Sequence, residues 1–345
     1  MSIYTNLVRP LLFMLPPEGA QKLAEVALSA KPFWRALRPF IQLNDERLHT
    51  DMGSIPLPNP VGLAAGYDKD CVMVDALSNL GFGYIVAGTV VAEPREGNPR
   101  PRIVRNPSEG SLVNSLGFPS HGLEAASDRL KRSAGRGVPL LASISGLSVE
   151  EFSRCYQRLQ PLAAGVELNI SSPNTEGIRI FQEPHRLEEL LSALKPLKEK
   201  PLFLKLPPYL DDTDRGRVLK LVDLCLQYAV EGVTAANTWP VEDERLAVGM
   251  GGLSGRPLFP HMLRMVREIR HHAGDGLIIN ACGGISSGED ALGALRAGAS
   301  TVHLFTGFVY RGPGLMRQIN RHILRYMEQE GIPSLRAIPR ESLEG

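Results

Sequence analysis

Between residues 61 and 330 the chain carries eight short apolar runs, almost every one ending in a polar or glycine-rich turn, with helical spacing in most of the gaps. The apolar runs fall at 61–66, 84–90, 139–145, 165–170, 202–206, 232–237, 277–281 and 301–305. Helical periodicity fills 72–80, 149–159, 187–194, 214–228, 258–271, 288–297 and 314–330. Strands buried on both faces read as near-continuous apolar runs rather than as alternation. Eight of them separated by helices predict an α/β protein, a (β/α)8 TIM barrel closed on itself. The interval 91–138 is too long for one connection. It carries the insert 96–105, expected to form a hairpin over the barrel mouth.

Residues 1–45 follow another rule and are read as a helical extension to a barrel spanning 46–345. Leu7, Leu11, Leu12, Leu15, Leu23 and Val26 recur at helical spacing, with Pro10, Pro16, Pro17 and Pro32 as breakers. Pro17-Glu18 suits a helix start. Residues 1–41 hold five basic groups, Arg9, Lys22, Lys31, Arg35 and Arg38, against two acidic ones, Glu18 and Glu25. Short basic amphipathic helices with aromatics suit a bilayer surface, and equally suit a cap packed on the barrel. The run 11–15 is much shorter than the ~20 residues of a membrane span, and no secretory signal is expected.

Composition narrows the function. A net charge of +1 gives no electrostatic footprint for nucleic acid. Cys71, Cys155, Cys225 and Cys282 are scattered, and the histidines lack ligand spacing, so no metal site is expected.

The chemistry is expected at the carboxyl ends of the strands. Strand one ends in Ala64-Ala65-Gly66-Tyr67-Asp68-Lys69, small residues followed by a cation. Strand two ends in Gly88-Thr89, and the insert then delivers Asn114-Ser115-Leu116-Gly117-Phe118. Strand four ends in Asn169-Ile170-Ser171-Ser172-Pro173-Asn174-Thr175, whose amides and hydroxyls can serve a carboxylate or an imide. Read as residues alone, each of these segments is also compatible with an ordinary hydrogen-bonded turn. Lys205 ends strand five inside an apolar run, where a buried cation requires an anionic partner, either a protein acid or a ligand. Strand six ends in Asn237-Thr238. Gly251–Gly255, Gly283–Gly288 and Thr306-Gly307 follow, and glycine loops after the last two strands form the usual phosphate cradle of a barrel. Neither GxxxxGK(S/T) nor GxGxxG is present.

These motifs resemble the dihydroorotate dehydrogenases: AAGYDK at 64–69, EGNPRPR at 96–102, NISSPNT at 169–175, GGLSG at 251–255 and GGISSG at 283–288. The resemblance covers about residues 4–330. It implies oxidation of (S)-dihydroorotate to orotate in pyrimidine biosynthesis, with FMN as hydride acceptor. Soluble members of the family use a cysteine base and the membrane-associated, quinone-reducing members a serine, so Ser172 and the N-terminal helices both imply the quinone type. Ser172 is then the base at C5, with Thr175 and Phe118 lining its proton relay. Lys69, Asn114, Ser115, Leu116, Gly117, Phe118, Asn169, Asn174, Asn237 and Thr238 are implied to bind substrate. Ala65, Gly66, Thr89, Ser143, Asn169, Lys205 and Ala236 are implied to contact FMN, together with Ser254, Gly255, Gly283, Gly284, Phe305 and Thr306. Gln21 and Arg105 are implied at the quinone site. Ubiquinone or menaquinone, the membrane surface through the N-terminal helices, a monomer, and a peripheral position on the cytoplasmic face of the cell membrane complete the expectation.

Some positions depart from the quinone-type pattern. Ser143 and Gly146 replace an asparagine and a lysine, Tyr209 an aspartate, Phe305 a tyrosine, Gln21 a histidine found in some relatives, and Trp239 a smaller residue. The stretch 143–151 looks like the soluble class, which reduces fumarate or nicotinamide. A flavin protein without activity and a phosphate-sugar isomerase are the other readings; the first would be yellow but unbleached by dihydroorotate, the second colourless.

Overall fold

The computed structural model describes residues 3–133, 137–171, 177–209 and 211–341. Eight parallel strands close into a barrel in chain order: β1 (Val61–Leu63), β2 (Tyr84–Val90), β3 (Leu140–Ile144), β4 (Gly165–Asn169), β5 (Leu202–Lys205), β6 (Gly232–Ala235), β7 (Ile278–Cys282) and β8 (Thr301–Leu304). β1 and β6 are shorter than the sequence predicts. Beyond them the backbone leaves the ladder but keeps single bonds, Gly66 N–H to the Gly88 carbonyl (2.7 Å) and Ala236 N–H to that of Cys282 (2.8 Å). The barrel rim is thereby fixed where side chains must turn inward.

Val166, Leu168, Leu202 and Leu204 face the surrounding helices, so the alternate residues Glu167, Asn169, Phe203 and Lys205 point inside. The lower interior packs Tyr84, Val86, Leu141 and Phe203 against Met52, Ile55 and Leu57. The last three belong to a hairpin, Thr50–Met52 with Ile55–Leu57, which plugs the amino end of the barrel and was not anticipated. Gly62 allows this packing, since any Cβ there would overlap the Tyr84 ring.

Helices form in all the expected intervals, although 72–80 holds only the single turn Val74–Leu77, and three have side-chain caps: Ser148 accepts from Glu151 N–H, Asp211 from Asp214 N–H and Ser287 from Asp290 N–H. In the interval 91–138 a hairpin does form, but as Ile103–Asn106 with Ser111–Asn114, largely beyond the expected 96–105. Met250–Gly255 and Trp239–Glu242 extend it to a four-stranded sheet over the mouth. The helix Gly122–Arg132 also went unpredicted, though Leu123, Ala126 and Leu130 give it a buried face.

The N-terminal residues form helices at Arg9–Phe13, Pro17–Ser29 and Lys31–Ile41. Of fifteen exposed large apolar side chains among the described residues, ten lie between Ile3 and Phe40, which concentrates them on this extension. Among the described residues no helix is long and apolar enough to cross a membrane.

Candidate active site

A cavity of about 260 Å³ opens at the carboxyl end of the barrel. It runs from Lys205 and Asn169 at the barrel centre, past Tyr67 and Phe305, to Phe13 and Gln21 between the N-terminal helices. The inner part is polar and the outer part apolar.

The inner wall is a web of amides and hydroxyls carried by four strand ends. Asn169 Nδ2 donates to Thr89 Oγ1 (2.9 Å), which lies 3.0 Å from Ser143 Oγ. On the other side Asn169 Oδ1 accepts from Ser171 Oγ (3.2 Å) and Asn237 Nδ2 (3.4 Å). Asn237 Nδ2 also reaches Ser171 Oγ at 3.0 Å, and Asn237 Oδ1 accepts from Thr238 N–H at 2.8 Å. Asn114 Nδ2 donates to the Gly252 carbonyl at 3.3 Å, tying the insert to the neighbouring strand. Such a web fixes each amide's orientation, which favours a planar ligand bearing alternating C=O and N–H groups.

Two lysines supply the charge. Lys205 is buried, and among the described residues no carboxylate or hydrogen-bond acceptor meets its ammonium group. Of the two partners the sequence allowed, a protein acid in direct contact is therefore not found. Lys69 donates to the Gly66 carbonyl at 2.6 Å, and burial pushes its pKa down to about 8. The loop that carries it is anchored by Asp68, whose carboxylate accepts the Val72 and Met73 N–H groups, each at 2.8 Å. Burial nevertheless raises the Asp68 carboxyl to about 6.

The glycine loops meet on the side of the cavity formed by β7 and β8. A Cβ on Gly284 would lie 2.5 Å from the Phe259 nitrogen, and one on Gly255 or Gly307 would overlap the carbonyl of Gly110 or Ile285. Thr306 Oγ1 donates to Ser254 Oγ at 2.8 Å, which joins the loops. Backbone amides at this cradle, with the first turn of the helix Thr306–Arg311, suit an anion.

At the outer end Tyr67 packs edge-on against Phe305, with centroids 5.8 Å apart. Gln21 donates to the Tyr67 carbonyl at 3.4 Å. Arg105 lies 4.5 Å above the Phe13 ring and donates to the Leu15 carbonyl at 2.7 Å. Glu18 accepts from Arg100 (2.7 Å) and Arg102 (2.8 Å), which clasps the Pro17–Ser29 helix to the insert.

Most of the residues singled out from sequence line this one cavity. Lys69, Asn114, Leu116, Gly117, Phe118, Asn169, Asn237 and Thr238, the residues expected to bind substrate, are among them. So are Ala65, Gly66, Thr89, Lys205, Ala236, Ser254, Gly255, Gly283, Gly284, Phe305 and Thr306, with Gln21 and Arg105 at the outer end. Ser115 and Ser143 are fully buried and do not line the cavity; Ser143 acts through Thr89. Ser172, Asn174 and Thr175 lie outside the described residues. The Gly146 departure has a local reason, because a Cβ there would lie 2.8 Å from that of Glu151. Tyr209 and Trp239 border a smaller neighbouring cavity instead. The sequence reading missed Tyr67 and His303, both on the wall. His303 was recoverable from parity, being two residues before the selected Phe305 in the apolar run 301–305.

The family profile described as dihydroorotate dehydrogenase matches residues 47–327. A dihydroorotate dehydrogenase (quinone) of Thermus thermophilus is 38% identical over 343 residues, covering 94% of this chain and 97% of the relative. One of Methylococcus capsulatus is 38% identical over 338 residues, with 92% and 98% covered. The crystal structure of the Eimeria tenella enzyme in complex with ferulenol superposes with a TM-score of 0.82 at 28% identity, covering 94% of this chain and 95% of that one.

Proposed function

The chain belongs to the dihydroorotate dehydrogenase family, and from that premise we propose that it oxidises (S)-dihydroorotate to orotate for pyrimidine synthesis, using FMN and a membrane quinone. The observation that carries the reading is the continuity of one cavity from the amide-lined barrel centre to the apolar opening between the N-terminal helices.

The residues fit FMN. The cradle at Gly255, Gly284 and Gly307 has no room for a Cβ, and its backbone amides suit a phosphate. Lys205 is a buried cation that meets no acceptor among the described residues, which suits the negative charge of a reduced flavin ring. Thr89, Asn169 and Ala236 would meet the ring. When bound, FMN supplies a two-electron acceptor that no side chain here offers.

The chain's own groups do the rest. Lys69 meets the substrate carboxylate, while Asn114, Asn169 and Asn237 read the pyrimidine C=O and N–H groups. Asn174 is assigned the same task by its motif. Ser172 withdraws the proton from C5, and Thr175 and Phe118 stand on its path to solvent. Phe118 holds φ at 55°, a conformation uncommon outside glycine, which aims it into the cavity. Arg105 and Gln21 take the quinone headgroup. The exposed apolar side chains of residues 3–40 rest on the cytoplasmic face of the membrane, and the enzyme works as a monomer.

Anaerobic addition of dihydroorotate to the yellow protein should bleach its flavin absorbance. Ser172→Ala should retain the flavin and slow bleaching by roughly 10²-fold or more, the scale of a lost general base. An unchanged rate would remove Ser172 from the mechanism.

A further inference from the structure

At and below the cavity floor the barrel interior holds a second polar layer that neither substrate nor cofactor assignment uses, and its His303 also lines the cavity wall. Thr234 Oγ1 donates to Glu167 Oε2 at 2.7 Å. Thr234 is the register partner of both Lys205 and Asn280. Thr301 Oγ1 donates to Asn280 Oδ1 at 2.7 Å and lies 2.5 Å from the Tyr84 hydroxyl. The Tyr84 ring packs on His303, with centroids 5.3 Å apart, and His303 is the register partner of Cys282.

Four polar atoms of this layer, Glu167 Oε1, Asn280 Nδ2 and both ring nitrogens of His303, are buried with no partner among the described residues. Buried polar atoms are costly to leave unsatisfied, so four in one interior point to a ligand that both donates and accepts. Water has that chemistry and that size.

Charge balance points the same way. Among the described residues Asp68 and Glu167 are the buried carboxylates. Asp68 is taken up by its own loop amides, so among the described residues Glu167 is the one buried acid that can balance Lys205. The two do not touch. Burial raises the Cys282 thiol pKa, Lys205 lowers it and Glu167 adds to the rise, so both charges stand around this residue. Burial, helped by Lys205, holds His303 down at about 3, so its ring is neutral, with one donor and one acceptor to offer.

We propose that Glu167 is the counter-charge of Lys205, and that ordered water held by Glu167 Oε1, Asn280 Nδ2 and the His303 imidazole carries the contact. Glu167 is then a positioning residue. It offsets part of the Lys205 charge and keeps the potential of the bound flavin lower than a lone lysine would set it. The potential rests on the flavin assignment above; the water site does not.

A high-resolution crystal structure of the wild-type holoenzyme should show water within hydrogen-bond distance of Glu167 Oε1 and of His303. A dry layer would overturn the site. In Glu167→Gln, which keeps the Thr234 bond, the flavin potential should rise by at least roughly tenfold in the reduced-to-oxidised ratio at fixed potential, about 30 mV for a two-electron couple. An unchanged potential would overturn the counter-charge role. Should that variant not fold, His303→Gln is expected to keep the water and His303→Leu to release it, and water retained in His303→Leu would count against the site. A protein that binds no flavin would defeat the proposed function, while the crystallographic result would still decide the water site.

Discussion

Arg105 stacks 4.5 Å over the Phe13 ring while its guanidinium donates to the Leu15 carbonyl at 2.7 Å. One side chain of the barrel insert thus holds the end of an N-terminal helix, and it does so on the wall of the cavity. Burial lowers the pKa of this arginine, but its ordinary value is so high that it stays charged. Arg105→Ala is expected to leave flavin reduction by dihydroorotate unchanged and to slow reoxidation by quinone at least about tenfold, as a lost charged hydrogen bond of about 1.5–3 kcal/mol implies. Stopped-flow measurement of the two half-reactions separates these effects. Equal slowing of both would place Arg105 elsewhere in the mechanism.

Phe33 and Phe40 are 56% and 71% exposed on one short helix, and neither supports the core. Replacing both with glutamate should reduce binding to anionic liposomes at least about tenfold, with no loss of thermal stability, since interfacial binding follows apolar area and basic charge. Sedimentation with vesicles measures it. Wild-type binding by the double variant would contradict a membrane role for this helix.

Lys69 gives a pH dependence of defined sign. Burial lowers its pKa to about 8, so the free site loses this proton as pH rises through 8. Carboxylate binding must then restore the proton. The dissociation constant of orotate should be flat between pH 6 and about 7.5 and increase toward tenfold per unit above about 8. A titration followed by flavin absorbance gives the profile, and a constant flat to pH 9 would remove Lys69 as the carboxylate's cation.

Gly62→Ala tests the lower barrel. The new methyl group overlaps a Tyr84 ring that Thr301 and His303 hold in place. Overpacking of this kind costs about 1–3 kcal/mol. Urea unfolding should show that loss, and full stability would mean that Tyr84 is free to move.

The barrel was legible in the sequence because strands buried on both faces leave uninterrupted apolar runs, and β2 was bounded to the residue. The plug at 50–57 was not, because two three-residue strands carry too little pattern to stand out from a loop. The helix Gly122–Arg132 was hidden by its place in a long insert, although its apolar spacing was regular. The cavity-lining amides were noticed because they stand at strand ends, while their roles toward substrate came only from the resemblance. Glu167, Asn280 and His303 escaped because they lie inside apolar strands, where only inward parity marks them and no motif does.

The central claim joins two half-reactions in one cavity. The most direct measurement reduces the flavin anaerobically with dihydroorotate, removes the excess, and compares reoxidation by a short-chain ubiquinone analogue, by fumarate and by NAD. The account requires rapid bleaching and reoxidation by the quinone far faster than by either soluble acceptor. Bleaching followed by preferential reoxidation with fumarate or NAD would contradict it.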